Sequence, residues 1–184
     1  MQKLLKKLPV FIFLILHFTF LIAAIIEKRD NYTALLFLVL IALLLGLFYS
    51  QKFRIERSQL NKIDLVLVIF TAIGAIITYW LNIQLDLGVV LSAGITGLIS
   101  SFLPFINRRS NLLRELPVAM YCGAFAGMTA PFVADGYAFI ILAGIFTGII
   151  LVLSKETLHG FGGKLGSIAF GGVSIVTLIF LLLP

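Results

Sequence analysis

Apolar residues run along this chain in long blocks, and nearly all of the charged residues fall in the intervals between them. A helix needs about 20 mostly apolar residues to cross the hydrocarbon core of a bilayer, and fewer when flanking residues reach out to the interface. Seven blocks meet that measure: residues 8–26, 32–50, 63–81, 87–106, 117–134, 137–154 and 161–183. The pattern predicts an all-α polytopic membrane protein with seven transmembrane helices in a single domain over 1–184. The first block follows the basic opening MQKLLKK, as a signal peptide would. It is longer than a usual signal-peptide core and lacks an A-x-A-like cleavage site, so it reads as a permanent span.

Basic residues orient the helices. With the N-terminus inside, twelve of the fourteen lysines and arginines fall on the inner side: Lys3, Lys6, Lys7, Lys52, Arg54, Arg57, Lys62, Arg108, Arg109, Arg114, Lys155 and Lys164. Only Lys28 and Arg29 fall outside. Cytoplasmic loops collect Lys and Arg, so the split predicts a cytoplasmic N-terminus and an outer C-terminus, in a bacterial cytoplasmic (inner) membrane. The same rule accounts for the net charge of +6, and no nucleic-acid partner is expected. Composition agrees: 61% of the 184 residues are hydrophobic and 12% charged, against roughly 25% charged in soluble domains. Little sequence is left for a soluble module. Cys122 is the single cysteine, so no internal disulfide can form. No metal site or cofactor is expected.

Small residues divide the chain near residue 87. Only Gly46 and Gly74 of the sixteen glycines precede it. Helices in lipid associate through small residues that let backbones approach, which predicts a packed centre in spans four to seven and lipid-facing first spans. A faint repeat supports close packing: CGAFAGM at 122–128 parallels AGIFTGI at 143–149, with a contracted AGITGL at 93–98. A shared packing solution explains this better than duplication.

Candidate chemistry is sparse. His17 is the only ionisable side chain near the middle of a predicted span, which marks it for proton carriage. A neutral imidazole bonded to a neighbouring helix accounts for it equally well. Ser92, Thr96 and Ser100 share one face of span four, and Ser167 and Ser174 one face of span seven. Such hydroxyls can line a solute path or simply bond between helices. In span five, Pro117 suits a first-turn position and Glu115 the helix N-terminus. Pro131 should kink or break the helix near its outer end, making Tyr121 and Thr129 candidates for a binding element, next to the Asp135–Gly136 turn.

The inner turn KETLHGFGGKLGS at 155–167 is the most unusual stretch. Gly162 and Gly163 with Lys164 open the last helix, and with Lys155 they are candidates for an anion or lipid headgroup. The spacing fails as a P-loop and no strand precedes it, which excludes an ATPase on this motif. Glu115, Asp135, Glu156 and His159 are gating or proton candidates, the last two near Lys155. Asp64 reads as a residue serving the start of span three, and Tyr79 and Trp80 as interface anchors.

These features point to a small transporter or channel for an ion or small solute, with its path among spans four to seven. An accessory or assembly subunit is the alternative, its glycine faces binding a second copy or another membrane protein. A lipid-handling membrane enzyme ranks last, because no nucleophile with its base and no acid–base pair at membrane depth is evident.

Overall fold

The apolar blocks fold as helices in the computed structural model, which describes residues 2–49, 62–155 and 163–182, without the side chains of 2–10, 48, 49 and 62. The helices are α1 (Gln2–Glu27), α2 (Tyr32–Tyr49), α3 (Lys62–Gln84), α4 (Val89–Ser101), α5 (Leu103–Ile106), α6 (Asn111–Gly127), α7 (Tyr137–Leu153) and α8 (Lys164–Leu182). No strand occurs among the described residues. Three stretches are long and apolar enough to cross a membrane: Ile63–Gln84, Val89–Ile106 and Lys164–Leu182. Phe11–Glu27, Tyr32–Leu47 and Tyr137–Leu153 are shorter apolar helices. The chain is a helical membrane protein.

It divides into two units, one of residues 1–57 with 156–158 and the other of 58–155 with 159–184. The first contains the α1–α2 hairpin. Asn31 turns it: its backbone N–H donates to the Lys28 carbonyl at 3.0 Å, and its side-chain oxygen accepts from the Ala34 N–H at 3.1 Å. The second unit is a bundle with α3 as its hub. The division therefore lies before α3, not near residue 87, and α3 belongs to the packed part despite having only one glycine.

Its partners supply the rest. A Cβ on Gly123 or Gly127 of α6 would strike the backbone carbonyls of Thr71 or Ala75, and one on Gly74 would strike that of Met120. On the neighbouring stripe of α3, a Cβ on Gly144 would stand 2.6 Å from Ala72 Cα and one on Gly148 2.7 Å from Val68 Cα, both gripped by α7. The two repeats at 122–128 and 143–149 are thus one packing device used twice on the same helix. Gly172 of α8 closes in the same way on Thr147. Ala75, Ala126, Phe139, Ile140, Ala143 and Val176 complete the core.

Several boundaries differ from those the apolar blocks predict. The helix of span five begins at Asn111, where Ser110 caps it by accepting the Leu113 N–H at 3.4 Å. Pro117 therefore lies inside α6 rather than in its first turn. It has no N–H for the Leu113 carbonyl, four residues earlier. The helix stops at Gly127, so the outer end of span five is broken rather than kinked, and Pro131 is exposed in the turn that follows. Span four breaks at Phe102, between α4 and α5, where Pro104 occupies the first turn of α5.

Within the bundle, α3, α6 and α8 start at one end and α7 finishes there. Ion pairs and a hydrogen bond join Asp64, Glu115, Lys155 and Lys164. At the other end the Tyr79 ring meets that of Tyr137 edge-on, with centroids 5.4 Å apart. Tyr79 is buried, which does not suit an interface anchor, and Trp80 beside it is exposed. The end that holds Lys155 and Lys164 also carries Arg108, Arg109 and Arg114, on and beside the α5–α6 link; it is called the basic end below.

Candidate functional site

At the basic end, Lys155 follows directly on the C-cap of α7, residue Ser154, whose hydroxyl donates to the Ile150 carbonyl at 2.6 Å. A lysine there complements the negative end of the helix dipole. Its ammonium lies 3.5 Å from Asp64 Oδ1, in the first turn of α3, and 2.5 Å from Glu115 Oε2 on α6. One cation thus ties three helices. The Asp64 side chain is 6% exposed, that of Lys155 31% and that of Glu115 36%, so the cluster is shielded but not dry. Burial alone pulls the Lys155 ammonium down. The hydrogen bond and charge of Glu115, with the charge of Asp64, outweigh it and hold the amine above its ordinary value. The Lys164 ammonium joins from α8 by donating to the Lys155 carbonyl at 3.1 Å. Beside the cluster lies a cavity of about 100 Å³ lined by Leu67, Val118, Leu151 and Val152 with Glu115 and Lys155.

A second feature runs along the seam between α4–α5 and α6. A groove of about 530 Å³ is lined by Gly94, Gly97 and Ser101 of α4, Pro117 and Tyr121 of α6, and Leu165 of α8. Nearer the basic end, a cavity of about 330 Å³ is lined by Pro104, Phe105, Arg108 and Arg114. Val118 lines both the groove and the small cavity beside the cluster.

The structure gathers some sequence candidates and separates others. Glu115, Lys155 and Lys164 come together, joined by Asp64, which the sequence reading left as a helix-end residue. Asp64 and Lys155 are far apart in the chain; the available signal was that both sit at predicted inner ends with opposite charge. Glu156, His159 and Gly162 lie outside the described residues, and Gly163 is exposed with φ 77° just before α8.

Ser92, Thr96 and Ser100 are buried. Their hydroxyls donate to the Gly88, Ser92 and Gly97 carbonyls at 2.8, 2.9 and 2.8 Å, and Thr78 of α3 donates to Thr96 at 2.9 Å. Of these four bonds, the one from Thr78 ties α3 to α4, and the other three close back on α4's own backbone. Thr129 donates to the Ala126 carbonyl at 2.6 Å, beyond the end of α6. Ser167 and Ser174 are partly buried on α8, and Asp135 is exposed in its turn. His17 in α1 bonds through Nδ1 to the Phe13 carbonyl at 2.6 Å. Tyr121 stacks at a tilt on Phe125, ring centroids 4.7 Å apart, and forms one wall of the groove. Among the described residues no three or more His, Cys, Asp or Glu side chains gather as a metal ion would require. Comparison with protein families, curated proteins and solved structures finds no match for this chain.

Proposed function

We propose that this protein is a small membrane transporter or channel for an ion or small solute, gated at the basic end by the Asp64–Glu115–Lys155 cluster. The route runs through the glycine-packed bundle of α4 and α6–α8, with α3 as its wall. The seven-span arrangement, N-terminus in the cytoplasm and the cluster at the inner mouth, in a bacterial cytoplasmic membrane, is part of this reading. The alternating directions of α3, α4, α6, α7 and α8, with basic residues concentrated at one end, support it.

One observation carries the gating assignment: a lysine shared by two carboxylates from different helices, set beside an apolar cavity. An ion pair taken out of water adds little stability over apolar residues of the same volume. Shielded ionisable groups shared between helices of a membrane bundle often mark ion pathways, which favours a switch here. On this reading, separating Lys155 from either acid removes the charged tie between the end of α7 and α3 or α6 beside the small cavity, while the glycine contacts keep the helices packed.

The test is flux in reconstituted liposomes with entrapped indicators for H⁺, Na⁺, K⁺ and Cl⁻. Wild-type protein should carry at least one ion above the protein-free background. Lys155→Met should change that flux, and Val118→Trp, which fills the cavity, should reduce it. Equal flux in wild type, both variants and empty liposomes overturns the reading.

A further inference from the structure

The α4–α6 seam pairs two features that lie next to each other along both of its walls. Its apolar groove ends toward the basic end at Ser101 and Pro117, and the arginine-lined cavity begins at Pro104 and Arg114. From Gly94 to Ser101 the groove runs about 10 Å along α4, at 1.5 Å per residue. Nothing lies within 4 Å of where a Cβ on Gly94 would stand.

The arginines are prepared but uncommitted. The Arg108 guanidinium lies over the Phe105 ring, 5.0 Å from its centroid, and Arg114 Nε donates to the Arg108 carbonyl at 3.0 Å. The two side chains are thereby held beside one cavity. Among the described residues neither has a carboxylate within ion-pair distance, because adjacent Glu115 turns to Lys155. A guanidinium fork with free N–H groups matches a phosphate oxygen pair. At membrane depth an open apolar groove has to be filled by an acyl chain or a helix. A chain attached to a phosphate satisfies the groove and the arginines at once, whereas a packed helix face leaves the two cations without a counter-charge.

We propose that this seam seats one anionic phospholipid, with an acyl chain along the Tyr121 groove and its phosphate at Arg108 and Arg114. The site is separate from the Lys155 cluster and does not rest on the transport reading, since occupancy is read without any flux. Through Val118, which borders both cavities, the seated chain touches the wall of the gate cavity.

Native mass spectrometry of the full-length, delipidated protein tests it, with equal amounts of dimyristoyl phosphatidylglycerol and phosphatidylcholine added. Wild-type protein should retain one phosphatidylglycerol in preference to phosphatidylcholine. Arg108→Gln with Arg114→Gln should lower that preference roughly tenfold, and Arg109→Gln, an exposed neighbour outside the cavity, should leave it unchanged. Gly94→Leu, whose side chain grows into open groove, should reduce retention of both lipids. If the double variant does not fold, Arg114→Lys keeps the charge without the fork and should lower the preference about threefold. Equal retention of the two lipids by wild type, an equal loss in Arg109→Gln, or a co-purifying protein that cross-links to the groove in place of lipid would each overturn the proposal.

Discussion

The hairpin and the bundle use glycine in opposite ways. On α2, a Cβ at Gly46 would meet nothing within 4 Å, and large neighbours such as Leu43 and Leu47 are exposed. In the bundle, Cβ atoms on Gly74, Gly123, Gly127, Gly144 and Gly148 would all meet backbone of another helix. The contrast teaches that glycine number does not locate a membrane core. Helix α3 is poor in glycine yet gripped most tightly, because the missing side chains belong to its partners.

The largest expected effect separates those two uses. Gly123→Leu drives a side chain into the Thr71 carbonyl and should destabilise the bundle by about 3 kcal/mol or more. Gly46→Leu should stay within about 0.5 kcal/mol of wild type. Thermal unfolding in detergent, followed by size-exclusion chromatography, measures both. Similar losses from the two variants would erase the distinction.

Next comes the charge cluster; among the described residues of the hairpin the ion pairs, Lys28–Glu27 and Arg29–Asp30, are exposed. Lys155→Met leaves Asp64 shielded without its lysine and should cost about 2 kcal/mol, below the range for fully buried pairs because Lys155 keeps partial solvent access. The amine is held above its ordinary value of 10.5 on folding. Its contribution is therefore complete below pH 10.5 and is lost as pH climbs through the higher folded value. Wild-type protein should show a loss of stability in that alkaline window that Lys155→Met lacks. Identical alkaline profiles would remove Lys155 from the account.

Two smaller effects test the hydroxyls of the bundle. Thr78→Val deletes the bond to Thr96, whose own hydroxyl still reaches the Ser92 carbonyl, so a loss of about 0.6 kcal/mol is expected. Thr147 is buried on α7, and its hydroxyl has no hydrogen-bond partner among the described residues. Thr147→Val should accordingly be neutral or stabilising by up to about 1 kcal/mol, opposite in sign to Thr78→Val. Chemical denaturation in mixed micelles can resolve the two signs, and a clear loss from Thr147→Val would mean that the hydroxyl is satisfied.

Helical character was legible because long apolar runs leave few alternatives in lipid. Boundaries were less so. The apolar count starts span five at Pro117, but polar residues do not end a helix, and Ser110 caps it before Asn111. Pro131 reads as a kink only if the helix continues, whereas it ends at Gly127. The hydroxyls of span four were found by periodicity, which shows a shared face but not whether that face meets a cavity or another helix. The cluster was the least legible, because Asp64, Glu115 and Lys155 belong to three separate helices, and no local pattern in one records which of the others it faces.

Pro117 gives α6 a joint. The short arm from Asn111 to Leu116 is tied to the rest of the helix by one backbone hydrogen bond fewer, and it carries Arg114 and Glu115 side by side. The turn of α6 with the fewest backbone ties is thus also the turn that the Glu115–Lys155 ion pair and the Arg114–Arg108 hydrogen bond anchor from outside the helix.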